Sequence, residues 1–140
     1  MSGKYHIVNR LATYGQGVAQ DICRKLGGNL SSFADIEENA RFLRELGYDK
    51  ADYSGLWLGL YASNPTPDTS SYSWISTGQS PSFLWGENEP NGNFSCVKMA
   101  AQYGYWADEA CRKPYGFTCE LGEAPGGTEP SELLLLLSSS

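Results

Sequence analysis

Four cysteines, Cys23, Cys96, Cys111 and Cys119, restrict what this chain can fold into more than any other feature. Their number is even, none forms a Cys-x-x-Cys pair, and the chain carries one histidine, His6. A zinc site or a Cys/His nucleophile pair needs more such ligands at closer spacing. Disulfides are the better reading, and they persist in oxidising compartments. Four cysteines allow three pairings, and counting does not choose among them. Two sequons agree with that compartment, Asn29-Leu30-Ser31 and Asn93-Phe94-Ser95, whereas proline blocks Asn64-Pro65-Thr66. The expectation is a secreted protein or extracellular domain. The opening stretch MSGKYHIVNRL holds no apolar run of signal-peptide length, so a leader is expected outside this chain.

A length of 140 residues fits one domain with a real core. The net charge of −6 and the scattered basic residues argue against nucleic acid or an anionic membrane surface as partner.

Periodicity divides the chain. The stretch KYHIV (4–8) suits a short strand. Thr13-x-x-Gln16 reads as a capping box before VAQDICRKLGG, with Val18, Ile22 and Leu26 on one helical face and Gly27 as a left-handed stop. Cys23 lies beside that face and points inward. Asp35-x-x-Glu38 caps a second helix, whose buried stripe is Ile36, Ala40 and Leu43 and whose stop is Gly47. Beyond it the helical period disappears. LWLGLY, YSWIS, CVKMA, YGYWAD and GFTCEL read as strands separated by the loop NPTPDTSS and the turn TGQSPS. Residues 1–121 form the expected domain, and 122–140 a flexible Gly/Pro/Glu linker with a short Leu/Ser tail, whose five leucines are too few to span a bilayer. Two helices followed by short strands and long loops make an α+β domain stapled by disulfides.

The ordered landmarks ICRKLGGNL, IEENARFL, LWLGL, SWISTG, FLWGENEPNG, CVKMA, YWADEAC and GFTCEL resemble the short form of the C-type lectin-like domain over roughly residues 4–121. The resemblance implies two helices with small antiparallel sheets and a long loop region carrying a calcium and sugar site. It also implies the pairings Cys23–Cys119 and Cys96–Cys111. In the chain-entropy model, the outer link contributes roughly 4–5 kcal/mol less any strain.

What the resemblance implies for function centres on WGENEPNGNFSC, residues 85–96. A cis Glu89-Pro90 bond turns the Glu89 carboxylate and the Asn91 amide to one side of a bend. Both then bind calcium and a pair of sugar hydroxyls, and the Glu-Pro-Asn order resembles the mannose, fucose and N-acetylglucosamine type. Asp108, in Trp106-Ala107-Asp108, matches the family's Trp-Asn-Asp aspartate and supplies further oxygens. The chain departs from the pattern twice: Ala107 stands where the family has asparagine, and Phe94 where it has an acid. Asn93 is the neighbouring oxygen donor that stands in for that acid, and Glu87, Asn88 and Glu109 are close enough in sequence to compensate. Asp68 is the sole acid in the preceding loop, too little for the auxiliary calcium site.

Other residues carry blander expectations. Trp57, Trp74, Trp85 and Trp106 are framework core residues, and His6 is a plain strand residue. Tyr105, with Tyr103, is the candidate for stacking on a sugar. Glu87 and Glu89 sit at i and i+2 in one loop and do not flank a glycosidic bond from opposite sides, so no enzyme is expected. The sequence supports calcium-dependent binding of a mannose-type glycan or glycoprotein by a chain that can oligomerise. The alternative is a calcium-independent protein-binding or structural module on the same fold, its metal site degraded at Phe94 and Ala107.

Overall fold

A computed structural model describes residues 5–46, 55–100 and 104–122. Gly47, Tyr103 and the tail from residue 123 lie outside these. The elements are β1 (Tyr5–Tyr14), α1 (Gln16–Lys25), β2 (Asn29–Leu30), α2 (Ile36–Leu46), β3 (Gly55–Tyr61), β4 (Ser73–Trp74), β5 (Cys96–Ala100), β6 (Trp106–Glu109) and β7 (Tyr115–Leu121). A 3-10 turn, Thr69–Ser71, interrupts the loop before β4.

Among the described residues the strands join one sheet in the order β1-β7-β3-β5-β6, with β2 on β7 and β4 on β3. Every pairing is antiparallel except β3 with β7, which is parallel. The sheet is therefore mixed where antiparallel pairing was expected. Because β7 lies between β1 and β3, Phe117, Thr118 and Cys119 are fully buried. Alternation along the strands then feeds two cores. Trp57, Phe117, Cys119 and Cys23 pack with α1 on one side; Leu56, Leu58, Val97, Met99 and Trp106 pack with Phe33 and Phe42 on the other. His6 is a β1 residue, its ring stacked 5.4 Å from Phe33.

Both implied disulfides form, Cys23–Cys119 and Cys96–Cys111. The first ties α1 to β7; the second ties the start of β5 to the segment after β6.

The helices sit where the sequence put them, but each is rotated from its expected face. In α1 the inward residues are Gln16, Ala19 and Cys23, while Val18 is 51% exposed and Ile22 and Leu26 only flank the core. No capping box forms. Thr13 Oγ1 donates to Leu11 O, and Gly15 is the N-cap without a side-chain bond. A backbone group replaces it: the Gln16 N–H donates to Cys111 O at 2.8 Å. Gln16 is free to turn inward, where Nε2 donates to Leu58 O and Leu60 O, both at 2.9 Å. At the other end Gly27, at φ +95°, makes the expected left-handed stop, with Gly28 N–H donating to Cys23 O.

In α2, Asp35 Oδ1 accepts the Glu38 N–H at 2.8 Å, the forward half of the expected capping box. Its inward residues are Asn39 and Phe42, with Leu43 and Leu46 packed alongside, while Ile36 is 55% exposed. Three tryptophans are buried in the core as expected, and Trp85 is half-buried against it. None of the described helices is long and apolar enough to cross a membrane.

Candidate functional site

The loop between β4 and β5 folds back on the start of β6. Trp106 N–H donates to Leu84 O and Gly86 N–H to Trp106 O, both at 2.9 Å. Leu84 and Asn88 adopt positive φ, +66° and +63°. For leucine this left-handed conformation costs roughly 1–2 kcal/mol, so the surrounding contacts must hold it. The Glu89-Pro90 bond is cis. Gly92 has φ +83°, and a Cβ there would lie 2.5 Å from Pro67 N. No other residue type fits that approach, and the loop rests directly on the backbone of the preceding one.

Asp108, 5% exposed on β6, holds the loop from beneath. Its Oδ1 accepts the Asn91 N–H at 3.0 Å and its Oδ2 the Phe94 N–H at 2.9 Å. Tyr72 joins from the far side, its hydroxyl donating to Phe94 O at 2.5 Å. Burial, followed by the nearby Asp108 and Glu89 carboxylates, pushes this phenol well above its ordinary range. Asn91 Oδ1 accepts the Asn93 N–H at 3.0 Å, closing a local turn, and the Asn91 amide nitrogen has no partner among the described residues.

Glu89 lies beside Asp108. Burial, then hydrogen-bond and charge contact with Asp108, raise its pKa above the ordinary carboxylate value. One of its oxygens, Oε1, is buried with no hydrogen-bond partner. No salt bridge among the described residues reaches either carboxylate. Two adjacent acids without a basic partner call for a proton or a cation.

The structure thus brings Glu89 and Asp108 together and sets Asn91 on the rim above them. It does not add Glu87 or Glu109 to that pair. Glu109 points to the other side of β6, where Oε2 accepts from Tyr115 OH at 2.9 Å and faces Lys98 and Lys113 at 3.4 Å. That surplus of positive charge and donors lowers its pKa despite partial burial. Asp68 accepts the Ser70 N–H and caps the 3-10 turn. Glu87 and Asn88 are exposed, and Asn93 holds the loop turn through its backbone. Tyr105 is 51% exposed and flanks Gly86: a Cβ built there would lie 3.8 Å from Tyr105 Cβ and 3.5 Å from Glu89 Cγ.

Calcium takes six to eight oxygens. The set here is two carboxylates and one amide, and among the described residues no three or more His, Cys, Asp or Glu converge. Each Asp108 oxygen already accepts one N–H but keeps lone pairs, since a carboxylate has about four acceptor positions. The unpartnered Glu89 Oε1 fits a cation held by few protein donors, completed by ligand or solvent oxygens. Sequence reasoning did not single out Tyr72 or Gly92. Gly92 had a signal, the Asn91-Gly92 turn pair; Tyr72 had none, because a contact with Phe94 exists only in the fold.

The human secretory phospholipase A2 receptor is 27% identical over 107 residues; this covers 74% of the chain but 7% of the receptor's length. Human lithostathine shares the fold, with TM-score 0.74, 21% identity and coverage of 88% of this chain and 95% of that one. So does the cow CD23 carbohydrate-recognition domain solved with a GlcNAc2Man3 oligosaccharide, with TM-score 0.70, 24% identity and coverage of 89% and 92%. A calcium-independent C-type lectin from Saxidomus purpuratus, SPL-2, also superposes, with TM-score 0.72, 17% identity and coverage of 87% and 88%. The family described as the lectin C-type domain matches residues 14–121. With that match spanning most of the chain, and with the sheet and both disulfides in place, this protein belongs to the C-type lectin domain family.

Proposed function

We propose that this domain is a non-catalytic carbohydrate-binding module that takes mannose-type sugars with weakly held calcium. The observation that carries the reading is the buried, unpartnered Glu89 Oε1 beside Asp108. Leaving such a group unsatisfied costs energy, and a cation with sugar hydroxyls relieves it. Calcium, when bound, supplies the positive charge that draws hydroxyl oxygens to this rim. The chain's own residues do the rest. Asp108 fixes the loop, Glu89 offers an acceptor, and the Asn91 amide nitrogen is left to donate, so a vicinal diol meets one acceptor and one donor. Tyr105 supplies an apolar face next to Glu89. The partner is a glycan or glycoprotein, in an extracellular or secreted setting, with oligomers supplying avidity.

A second reading has its own support. The Asn91 and Phe94 N–H groups are satisfied by Asp108 without metal, and Phe94 and Tyr105 expose 39% and 51% of their surface beside the loop. That surface suits calcium-independent recognition of a protein. Calorimetric titration with calcium separates the two. The first reading expects saturable uptake below millimolar calcium that the substitution Glu89→Gln abolishes; no uptake in the wild type rejects it.

A further inference from the structure

The two sequons are in opposite situations in the folded chain. Asn29 is woven into the sheet: it pairs with Glu120 across β2 and β7, and its Oδ1 accepts from Gln20 Nε2 at 2.9 Å. Ser31, the hydroxyl residue of that sequon, is 0% exposed and bonded to Thr118 Oγ1 at 3.0 Å. Asn93 is exposed in the loop before β5, and its side chain has no hydrogen bond among the described residues. The Asn93 backbone N–H is bound to Asn91 Oδ1, which holds the turn without using the Asn93 side chain. Ser95, two residues on, is half-buried and keeps its hydroxyl out of any hydrogen bond among the described residues.

We propose that Asn93 is an N-glycosylation site, occupied in preference to Asn29, and that its glycan stands over the Glu89–Phe94 loop. The donor is a lipid-diphosphate-linked oligosaccharide acted on by the transferase of the secretory pathway. Asn93 Nδ2 forms a bond to the sugar's anomeric carbon, and the bond from that carbon to the diphosphate oxygen breaks. The electron pair leaves with the lipid diphosphate, and the amide proton passes to the transferase. Before folding both sequons are open; after folding Asn93 is exposed, whereas Asn29 is half-buried and its sequon's Ser31 fully buried, so transfer that lags behind folding favours Asn93. Two residues span at most about 7 Å, so the first sugar lies within reach of Asn91 and Phe94. Glycans are bulky and hydrated, so this one screens the aromatic and acidic surface of the loop. Control of ligand access by the glycan rests on the function proposed above; occupancy and screening do not.

The test is expression of the whole chain behind a secretion leader in eukaryotic cells. Mass spectrometry of peptides, with and without enzymatic glycan removal, reads occupancy at each asparagine. Asn93 is expected to be modified and Asn29 bare, with Ser95→Ala and Asn93→Gln each removing the mass shift and Asn29→Gln leaving it. Bare Asn93, or preferential modification of Asn29, overturns the assignment. Hydroxyl-radical footprinting of the same protein, intact and trimmed, reads screening without any sugar or metal. Oxidation of Phe94 is expected to be slower by about twofold or more in the intact form; equal rates overturn the screening.

Discussion

Asp108 and Phe94 are joined across the candidate site by a hydrogen bond from the Phe94 N–H to Asp108 Oδ2 at 2.9 Å. The family pattern has an acid where Phe94 stands, so this position contributes a backbone donor to the aspartate instead of a carboxylate beside it. With Asn91 N–H on the other oxygen, Asp108 becomes the latch that fixes the loop over β6. On the function proposed above, the same residue has a second role, lending lone pairs to the cation beside Glu89.

The latch predicts a stability cost. Asp108→Ala leaves two backbone N–H groups without their acceptor, and hydrogen bonds to charged groups are worth about 1.5–3 kcal/mol each. A loss of about 2–4 kcal/mol is expected, read from the urea midpoint with disulfides intact. A loss within ~0.5 kcal/mol, typical of an inert surface substitution, would mean that Asp108 does not hold the loop.

Glu89 predicts a pH dependence. Its native pKa is raised above the ordinary 4.5, so the folded metal-free protein binds this proton more tightly than the unfolded chain. Stability therefore falls as pH rises from just above 4.5 through the raised native value. Glu89→Gln removes that slope and makes the metal-free domain more stable than wild type at neutral pH. Denaturation across the pH range checks it; an unchanged slope in the variant would assign the effect elsewhere. On the function proposed above, protons and calcium compete for this carboxyl, and calcium uptake is expected to weaken as the medium is acidified.

Gln16 predicts a cost far from the site. Gln16→Leu preserves bulk but removes the donor to Leu58 O and Leu60 O, leaving two buried carbonyls unpaired. The expected destabilisation is about 2–4 kcal/mol. Thermal unfolding measures it, and a neutral result would show that water takes over both bonds.

How much was legible in the sequence follows from the range of the forces involved. Strands and helix positions were readable because alternation and capping signals are local: LWLGLY became β3, and Asp35 caps α2. The helix faces were not. Val18, Ile22 and Leu26 carry the apolar period, yet α1 turns Gln16 inward because distant β3 carbonyls need its amide and because Cys111 O already caps the helix. The disulfide pairing came from the resemblance, not from spacing. At the site, Glu89, Asn91 and Asp108 were named from the motif. Their different environments were not readable, since the Asp108 latch depends on N–H groups contributed by another segment. Glu109 shows the same limit: adjacent to Asp108 in sequence, it belongs to the opposite face of β6 because side chains alternate along a strand.

On the proposed function, the Glu89 and Asp108 pair holds calcium and, with Asn91, a sugar. Retention on mannose-agarose, with and without a calcium chelator, tests it most directly when wild type and Glu89→Gln are run side by side. Wild type is expected to be retained, the chelator to abolish that retention, and the variant to flow through. Wild-type protein that flows through in calcium, or that stays bound in chelator, contradicts it.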